Sequence, residues 1–217
     1  FILPGSKKLL RAVKNVSLKL SEGEIFGIAG ESGSGKTTVA NLLMGLTELS
    51  SGKIIFLNKE IYKFMKDDRK LFRKNIQMVF QDPYGSLNPR KTIGETLSLV
   101  FNIHFDLNQN DIKKKVLDLL KMVELSPPEM FFDRHPHELS GGQQQRVAIA
   151  RAISTSPKLI ITDEAVASLD MSIRAEILKL LKKINFETNV TMIMISHDLS
   201  ILKNMCKRIA IMYLGEI

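Results

Sequence analysis

The stretch GESGSGKTT, residues 30–38, decides how the chain is read. It fits the pattern G-x-x-x-x-G-K-[ST], a loop whose backbone N–H groups cradle phosphate oxygens. Glycines at 30, 33 and 35 permit a tight loop. Gly30, Glu31, Ser32, Gly33, Ser34 and Gly35 then present their N–H groups at the positive end of the helix that follows. Lys36 is placed to reach the β- and γ-phosphates of a nucleotide and Thr37 to offer its hydroxyl to Mg²⁺. Thr38 completes the candidate phosphate set. Average composition produces such a match in roughly 1% of chains of this length, so the surroundings must give it weight. EIFGIAG at 24–30 does so: a continuous apolar run, the pattern of a strand covered on both faces, leads directly into the loop. Without that strand the stretch would read as a flexible Gly-Ser turn.

Outward from the loop, the period of the apolar residues assigns the elements. Val16, Leu18 and Leu20 alternate with Ser17, Lys19 and Ser21, which predicts a half-buried strand. GKIIFLN at 52–58 and IQMVFQ at 76–81 also read as strands. DPYGSLNPRKT at 82–92 is rich in turn formers. DIKKKVLDLLKMVEL at 111–125 sets Ile112, Val116, Leu119, Leu120 and Val123 on one helical face, and SPP at 126–128 ends it. Residues 83–138 therefore read as a helical insert between 1–82 and 139–217. Beyond it, helix and strand alternate. A helix over 143–154 leads to the strand LIITD at 159–163, then to a helix over 172–186 with Ile173, Ile177, Leu180, Leu181 and Ile184 on one face. The strands VTMIMIS at 190–196 and RIAIMY at 208–213 close the chain. Strands separated by helices imply an α/β fold with a parallel sheet.

Two further motifs carry chemistry. LIITDE at 159–164 ends a buried strand in two carboxylates, and strand tips of an open α/β sheet face the ligand crevice. Asp163 is the candidate Mg²⁺ ligand, directly or through water. Glu164, one residue further, is the candidate general base for an attacking water. Alone, the pair would equally suit a helix cap. LSGGQQQR at 139–146 places two glycines and three glutamines at the start of a helix, where glycine is a poor choice and glutamine is expected to bury nothing. Ser140 can cap that helix, and Gly141 and Gly142 leave its first N–H groups open to an anion. The turn reads as a second phosphate-binding device. One γ-phosphate hardly needs two cradles from one chain, which predicts two copies meeting head to tail, each offering LSGGQ to the nucleotide on the other's Lys36.

Together these motifs resemble the nucleotide-binding subunits of ATP-binding cassette (ABC) transporters, over nearly the whole chain and in the family's order. The resemblance implies a P-loop NTPase core with a mainly parallel sheet, an N-terminal antiparallel β part and an inserted α-helical part. The signature lies at 139–143. It implies ATP and Mg²⁺ as ligands. Gln81 resembles the Q-loop glutamine that contacts Mg²⁺ and water and hinges the insert. Ser168, Leu169 and Asp170 resemble the D-loop at the dimer interface. His197 resembles the switch histidine at the γ-phosphate. Lys36, Gln81, Glu164 and His197 are then the catalytic set. Thr37, Gln81 and Asp163 are the metal set, and Ser140, Gly141, Gly142, Gln143, Asp170 and His197 join the phosphate loop in binding nucleotide. MVFQDPYGSLNPRKT at 78–92, RHPHELSGGQ at 134–143 and DEAVASLD at 163–170 look like importer cassettes of the peptide and nickel group. Ala165 and Val166 stand where the commonest family pattern has Pro-Thr, as they do in that group. The family's adenine-stacking aromatic is missing from SKKLLRAV at 6–13, and Phe1 is the only aromatic upstream.

The implied partners are a second ABC ATPase subunit, identical or different, and membrane permease subunits. An extracytoplasmic binding protein acts indirectly. The implied location is peripheral, on the cytoplasmic face of the membrane. The bulk numbers agree. The 217 residues are 44% apolar and 25% charged, enough for a sizeable core. No apolar run approaches the ~20 residues of a membrane span. The ends, Phe1 without an initiator Met and YLGEI, read as cut from a longer protein without a signal peptide. The lone Cys206 suits a reducing compartment and reads as a packing residue. The net charge of +8 is scattered rather than striped with aromatics, so no nucleic-acid partner is expected. The rival from another class is a non-transport ABC ATPase acting on nucleic acid or ribosomes, which typically needs two cassettes or a long coiled coil. A small-molecule kinase would leave LSGGQ and the D-loop unexplained.

Overall fold

A computed structural model describes residues 11–217. The chain order is β1 (Ile25–Ala29), α1 (Lys36–Leu43), β2 (Ile55–Phe56), β3 (Lys59–Glu60), α2 (Ile61–Asp67), α3 (Arg69–Asn75) and β4 (Ile76–Val79). The helices α4 (Pro83–Ser86), α5 (Ile93–His104), α6 (Gln109–Met122) and α7 (Pro128–Phe132) follow, then a 3₁₀ turn at Pro136–Glu138. The chain continues through α8 (Gly141–Ile153), β5 (Leu159–Asp163), α9 (Met171–Thr188), β6 (Thr191–Ser196), α10 (Leu199–Met205) and β7 (Arg208–Ile211). Five strands form one sheet in the order β4-β5-β6-β1-β7, and every pairing is parallel. Their carboxyl ends therefore share one edge, which is the edge that can hold a ligand.

The sheet is buried on both faces, and its strands show why the apolar runs are continuous. Ile160, Met192 and Met194 face a core shared with α5, α6, α8 and α9. Leu159, Ile161, Ile193 and Ile195 face the opposite core, which includes Val39, Ala40, Phe64 and Phe72 from α1, α2 and α3. Each such side chain contributes about 1.5–3 kcal/mol on burial. An exposed ion pair such as Lys14–Glu216, at 3.6 Å, contributes at most about 1 kcal/mol, so the two cores dominate stability.

The helices carry their own start signals. Thr92 and Glu95 form a capping box at α5, and Asn108 caps α6. Ile112, Val116, Leu119 and Leu120 form the buried face of α6, as the spacing predicts, and Val123 extends it. In α9 the buried face is Ile177, Leu180, Leu181 and Ile184, with Ile173 half-buried.

Three expectations need correction. Residues 16–21 form no strand. Val16 and Leu20 still pack on the α1–α3 core, and Leu18 is exposed. Alternation fixes which side faces the core but cannot supply a ladder partner. Among the described residues, antiparallel pairing is confined to the short β2–β3 ladder and the Tyr213–Glu216 bridge. The run 52–58 pairs only at Ile55–Phe56, and β4 stops at Val79, leaving Gln81 two residues beyond it. Finally, Gln144 and Gln145 are buried. Gln144 Nε2 donates to the carbonyls of Pro136 at 2.8 Å and Leu139 at 3.2 Å, so it holds the turn that enters α8.

Candidate functional site

The loop between β1 and α1 closes on itself around Lys36. Gly35 is the residue before α1 and adopts φ 108° and ψ 0°. A Cβ there would lie 2.3 Å from the Ala12 carbonyl oxygen, so only glycine fits. Lys36 is buried. Its Nζ donates to the Gly30 and Glu31 carbonyls, each at 2.7 Å, and lies 3.5 Å from Ser34 Oγ. A buried ammonium held by two backbone carbonyls and a hydroxyl, with no carboxylate partner among these bonds, is a cation held ready for exchange onto an anion.

β5 delivers the carboxylates. Asp163 is buried at its tip, and its Oδ1 has no hydrogen-bond partner. Burial pushes its carboxyl above the usual range. The neighbouring Thr37 hydroxyl opposes the shift, Glu164 adds to it, and Lys36 opposes it. A buried carboxylate oxygen without a protein partner, beside a threonine hydroxyl, is an oxygen-donor set that suits a hard divalent cation. Gln81 is exposed beyond β4, the strand next to β5, and emerges at the same edge. Among the described residues no hydrogen bond joins it to Asp163 or Thr37.

Glu164 and His197 meet across the tips of β5 and β6. His197 Nδ1 lies 2.8 Å from the Glu164 carboxylate, and the His197 backbone N–H donates to Oε1 at 3.2 Å. Glu164 takes φ 51°, a left-handed conformation uncommon for a residue with a side chain. Its N–H donates to the Ile195 carbonyl at 3.1 Å, which ties it to the neighbouring strand.

The signature turn lies elsewhere. Ser140 caps α8: Gln143 N–H donates to its hydroxyl at 3.3 Å, and Ser140 N–H donates to Gln143 Oε1 at 3.0 Å. Both side chains are spent on the cap. Ser140 and Gly141 are exposed, and Gly142 is buried. A Cβ on Gly142 would lie 2.5 Å from Ile173 Cγ2, so a side chain at this position would collide with α9. α8 packs chiefly on β4, α4, α5, α6 and α9. Within one chain, Ser140 and Gln143 hydrogen-bond each other and not the phosphate loop. Asp170 is also a cap: it accepts from Ser172 N–H at 3.1 Å and Ile173 N–H at 3.0 Å at the start of α9. Ser168 is exposed and Leu169 buried between them. Phe1 lies outside the described residues.

Residues 13–167 match the ABC transporter family. This chain belongs to that family. It is 45% identical over 208 residues to the oligopeptide transport ATP-binding protein AppF of Bacillus subtilis, covering 95% of this chain and 63% of that protein. It is 46% identical to the oligopeptide transport ATP-binding protein OppF of Haemophilus influenzae, covering 95% of this chain and 62% of that one. This ABC protein thus spans less than two thirds of the length of these relatives. Among solved structures, the ATP-binding cassette MJ0796, in a dimeric post-hydrolysis state bound to ADP and Pi, is similar with a TM-score of 0.86 and 35% identity. That match covers 98% of this chain and 90% of MJ0796. The structure cbiO1 from Clostridium perfringens, part of the transporter complex cbiONQ, gives a TM-score of 0.83 at 33% identity, over 94% of this chain and 79% of that one. No helix among the described residues is long and apolar enough to cross a membrane.

Sequence reasoning passed over three buried or bridging residues of this ABC fold. Arg146 of α8 donates to the Val123 carbonyl at 3.0 Å, to Glu124 at 2.7 Å and to Glu176 at 2.9 Å, joining α6 to α9. Arg151 Nη1 donates to the Ser86 carbonyl at 2.5 Å, holding α8 to the segment after Gln81. Arg174 of α9 grips the loop after Glu164. Each acts across long sequence separations or on backbone carbonyls, which leave no periodic or spacing signal.

Proposed function

We propose that this chain binds MgATP and hydrolyses it to power the import of peptides through separate membrane subunits. One observation carries the reading: Lys36, Asp163 and the Glu164–His197 pair converge at the carboxyl edge of a single parallel sheet. Lys36 would exchange the Gly30 and Glu31 carbonyls for the β- and γ-phosphate oxygens. The N–H groups of residues 30–38 would surround those phosphates. Thr37, Asp163 and Gln81 would hold Mg²⁺, which when bound supplies positive charge against the phosphate oxygens. Glu164 would take the proton of the attacking water. His197 and Lys36 would oppose the charge that develops on the γ-phosphate.

The exposed Ser140–Gly141 turn has no anion of its own chain to meet. A second ABC subunit, identical or different, would use it to close the other face of its own nucleotide, with Gln143 bracing the cap and the Asp170 loop at the seam. ATP binding favours the closed pair, and hydrolysis releases it. Residues 83–138 form the insert that transmits this motion to permease subunits fed by an extracytoplasmic binding protein. The chain then works peripherally at the cytoplasmic face. Peptide is the favoured cargo because AppF and OppF are named for oligopeptide transport. Nickel rests on subgroup resemblance alone.

The test is Glu164→Gln in the full-length protein. ATP binding should persist while phosphate release and cellular uptake of labelled peptide both fall, with Ni²⁺ uptake followed in parallel. Loss of Ni²⁺ uptake alone would reassign the cargo. Undiminished ATP turnover would remove Glu164 from its role.

A further inference from the structure

We propose that Arg174 is a positioning residue that aligns Glu164 with His197 for hydrolysis; the inference rests on the ATPase reading above. Arg174 sits in the first turns of α9, behind both loops. Its Nη2 donates to the Leu169 carbonyl at 3.0 Å and lies 3.5 Å from the Ala167 carbonyl. Its Nη1 lies 4.0 Å from Asp198 Oδ2. One planar fork therefore reaches the segment that follows Glu164 and the residue that follows His197.

Beyond the Glu164 N–H bond to the Ile195 carbonyl and the burial of Ala165, Val166 and Leu169, few bonds hold the segment that joins Glu164 to α9. The turn from Glu164 is closed by two backbone bonds, Ala167 N–H to the Glu164 carbonyl at 3.0 Å and Leu169 N–H to the Val166 carbonyl at 3.3 Å. Its far end is fixed by the Asp170 cap on α9. Its near end is Glu164 itself, at φ 51°, a conformation that neighbours must impose. Ala165, Val166 and Leu169 pack into the core on one side of the turn, while on the other a cavity of about 40 Å³ is lined by Glu164, Ala167, Arg174, His197 and Asp198. That is room for about one water. Arg174 lines the cavity, and its buried Nε has no protein partner. On the cavity side, where close packing is absent, directed hydrogen bonds set the geometry.

The other loop is held in the same way. Asp198 Oδ1 accepts from Ser200 N–H at 2.9 Å and from Ser200 Oγ at 2.6 Å, which fixes its carboxylate at the start of α10. The Ser200 hydroxyl bond and, less strongly, Arg174 hold its carboxyl below the usual range, so the charge facing the guanidinium is present at neutral pH. Arg174 thus spans two anchored points whose neighbours, Glu164 and His197, must stay 2.8 Å apart. Lysine cannot take its place, because one ammonium lacks the fork that serves two carbonyls and a carboxylate together.

The experiment compares full-length wild-type protein with Arg174→Gln and Arg174→Lys. Steady-state phosphate release, thermal unfolding and amide hydrogen exchange are measured on each. In Arg174→Gln, kcat should fall about ten- to a hundredfold, the cost of a misaligned reacting group, while KM for MgATP stays within about twofold. The melting temperature should hold, and Arg174→Lys should recover only part of kcat. Amides in 164–170 and 196–199 should exchange faster, with 30–38 unchanged. Wild-type kcat in Arg174→Gln, or unaltered exchange in both loops, overturns the proposal. A parallel fall of kcat, affinity and melting temperature overturns it too, because that is a general folding role. Glu164→Gln runs alongside: if it hydrolyses like wild type, the ATPase assignment of Glu164 fails, while the exchange comparison still decides whether Arg174 holds the two loops.

Discussion

The Glu164 carboxylate and the His197 ring are in contact, with Nδ1 2.8 Å from the carboxylate and the His197 backbone N–H on the same group. The two residues lie 33 positions apart in sequence and on adjacent strands. With Nδ1 engaged by Glu164, Nε2 is the nitrogen left to face a ligand. The contact also orients the carboxylate from one side and leaves its remaining lone pairs for water.

Replacement of His197 by alanine keeps the backbone bond to Glu164 and removes the ring. ATP turnover should fall about a hundredfold, the magnitude typical of losing one charge-stabilising or proton-handling group, with ATP affinity little changed. Phosphate-release kinetics and nucleotide titration of the variant check this. Equal loss of binding would show that the histidine only shapes the pocket.

Gly142→Ala tests whether that glycine serves packing. The added methyl would lie 2.5 Å from Ile173 Cγ2, so α8 and α9 must separate. Overpacking of this kind costs about 1–3 kcal/mol, read as a lower urea midpoint. Gly141→Ala, whose methyl would meet only Leu169 Cδ2 at 3.8 Å, should leave the midpoint near wild type.

Arg146→Met removes three bonds that join α6, α8 and α9. Glu124 and Glu176 are half exposed, so water can take over their carboxylates, whereas the buried part of the network cannot recover. The expected loss is about 1–3 kcal/mol rather than the larger penalty of a stranded buried charge. Urea unfolding measures it, and a double variant with Glu176→Gln should lose less than the sum of the two single losses.

Glu24 gives a pH dependence with a defined sign. It is buried, and its carboxyl accepts from Arg208 Nε at 2.7 Å and Nη2 at 2.8 Å. The Arg208 bonds hold its pKa below the ordinary 4.5, against the opposing effect of burial. Folding therefore favours the ionised form. The stabilisation is complete above pH 4.5 and is lost as pH falls through the lowered value. Glu24→Gln should melt earlier than wild type at neutral pH, and the gap should close in acid. A gap that widened in acid would reverse the sign.

Much of this protein was legible before folding because its motifs act through local geometry. GESGSGKTT had to be a loop between strand and helix, since its glycines permit positive φ and the apolar run before it has the length of a buried strand. LIITD and VTMIMIS named their own strands because both faces of a parallel strand are covered. Ser140 announced its helix cap, and the apolar faces of α6 and α9 could be counted residue by residue. The residues 16–21 show the limit: alternation predicted a strand, but a strand needs a neighbour, and no local pattern can promise one. Tertiary structure alone decided that Gly142 yields to Ile173, that Gln144 turns inward to hold the entry to α8, and that Arg146, Arg151 and Arg174 tie distant segments together. It also decided the meeting of Glu164 with His197. Contacts of that kind depend on strand order and on backbone carbonyls, which every residue possesses, and so they leave no mark in the sequence that could be read in advance.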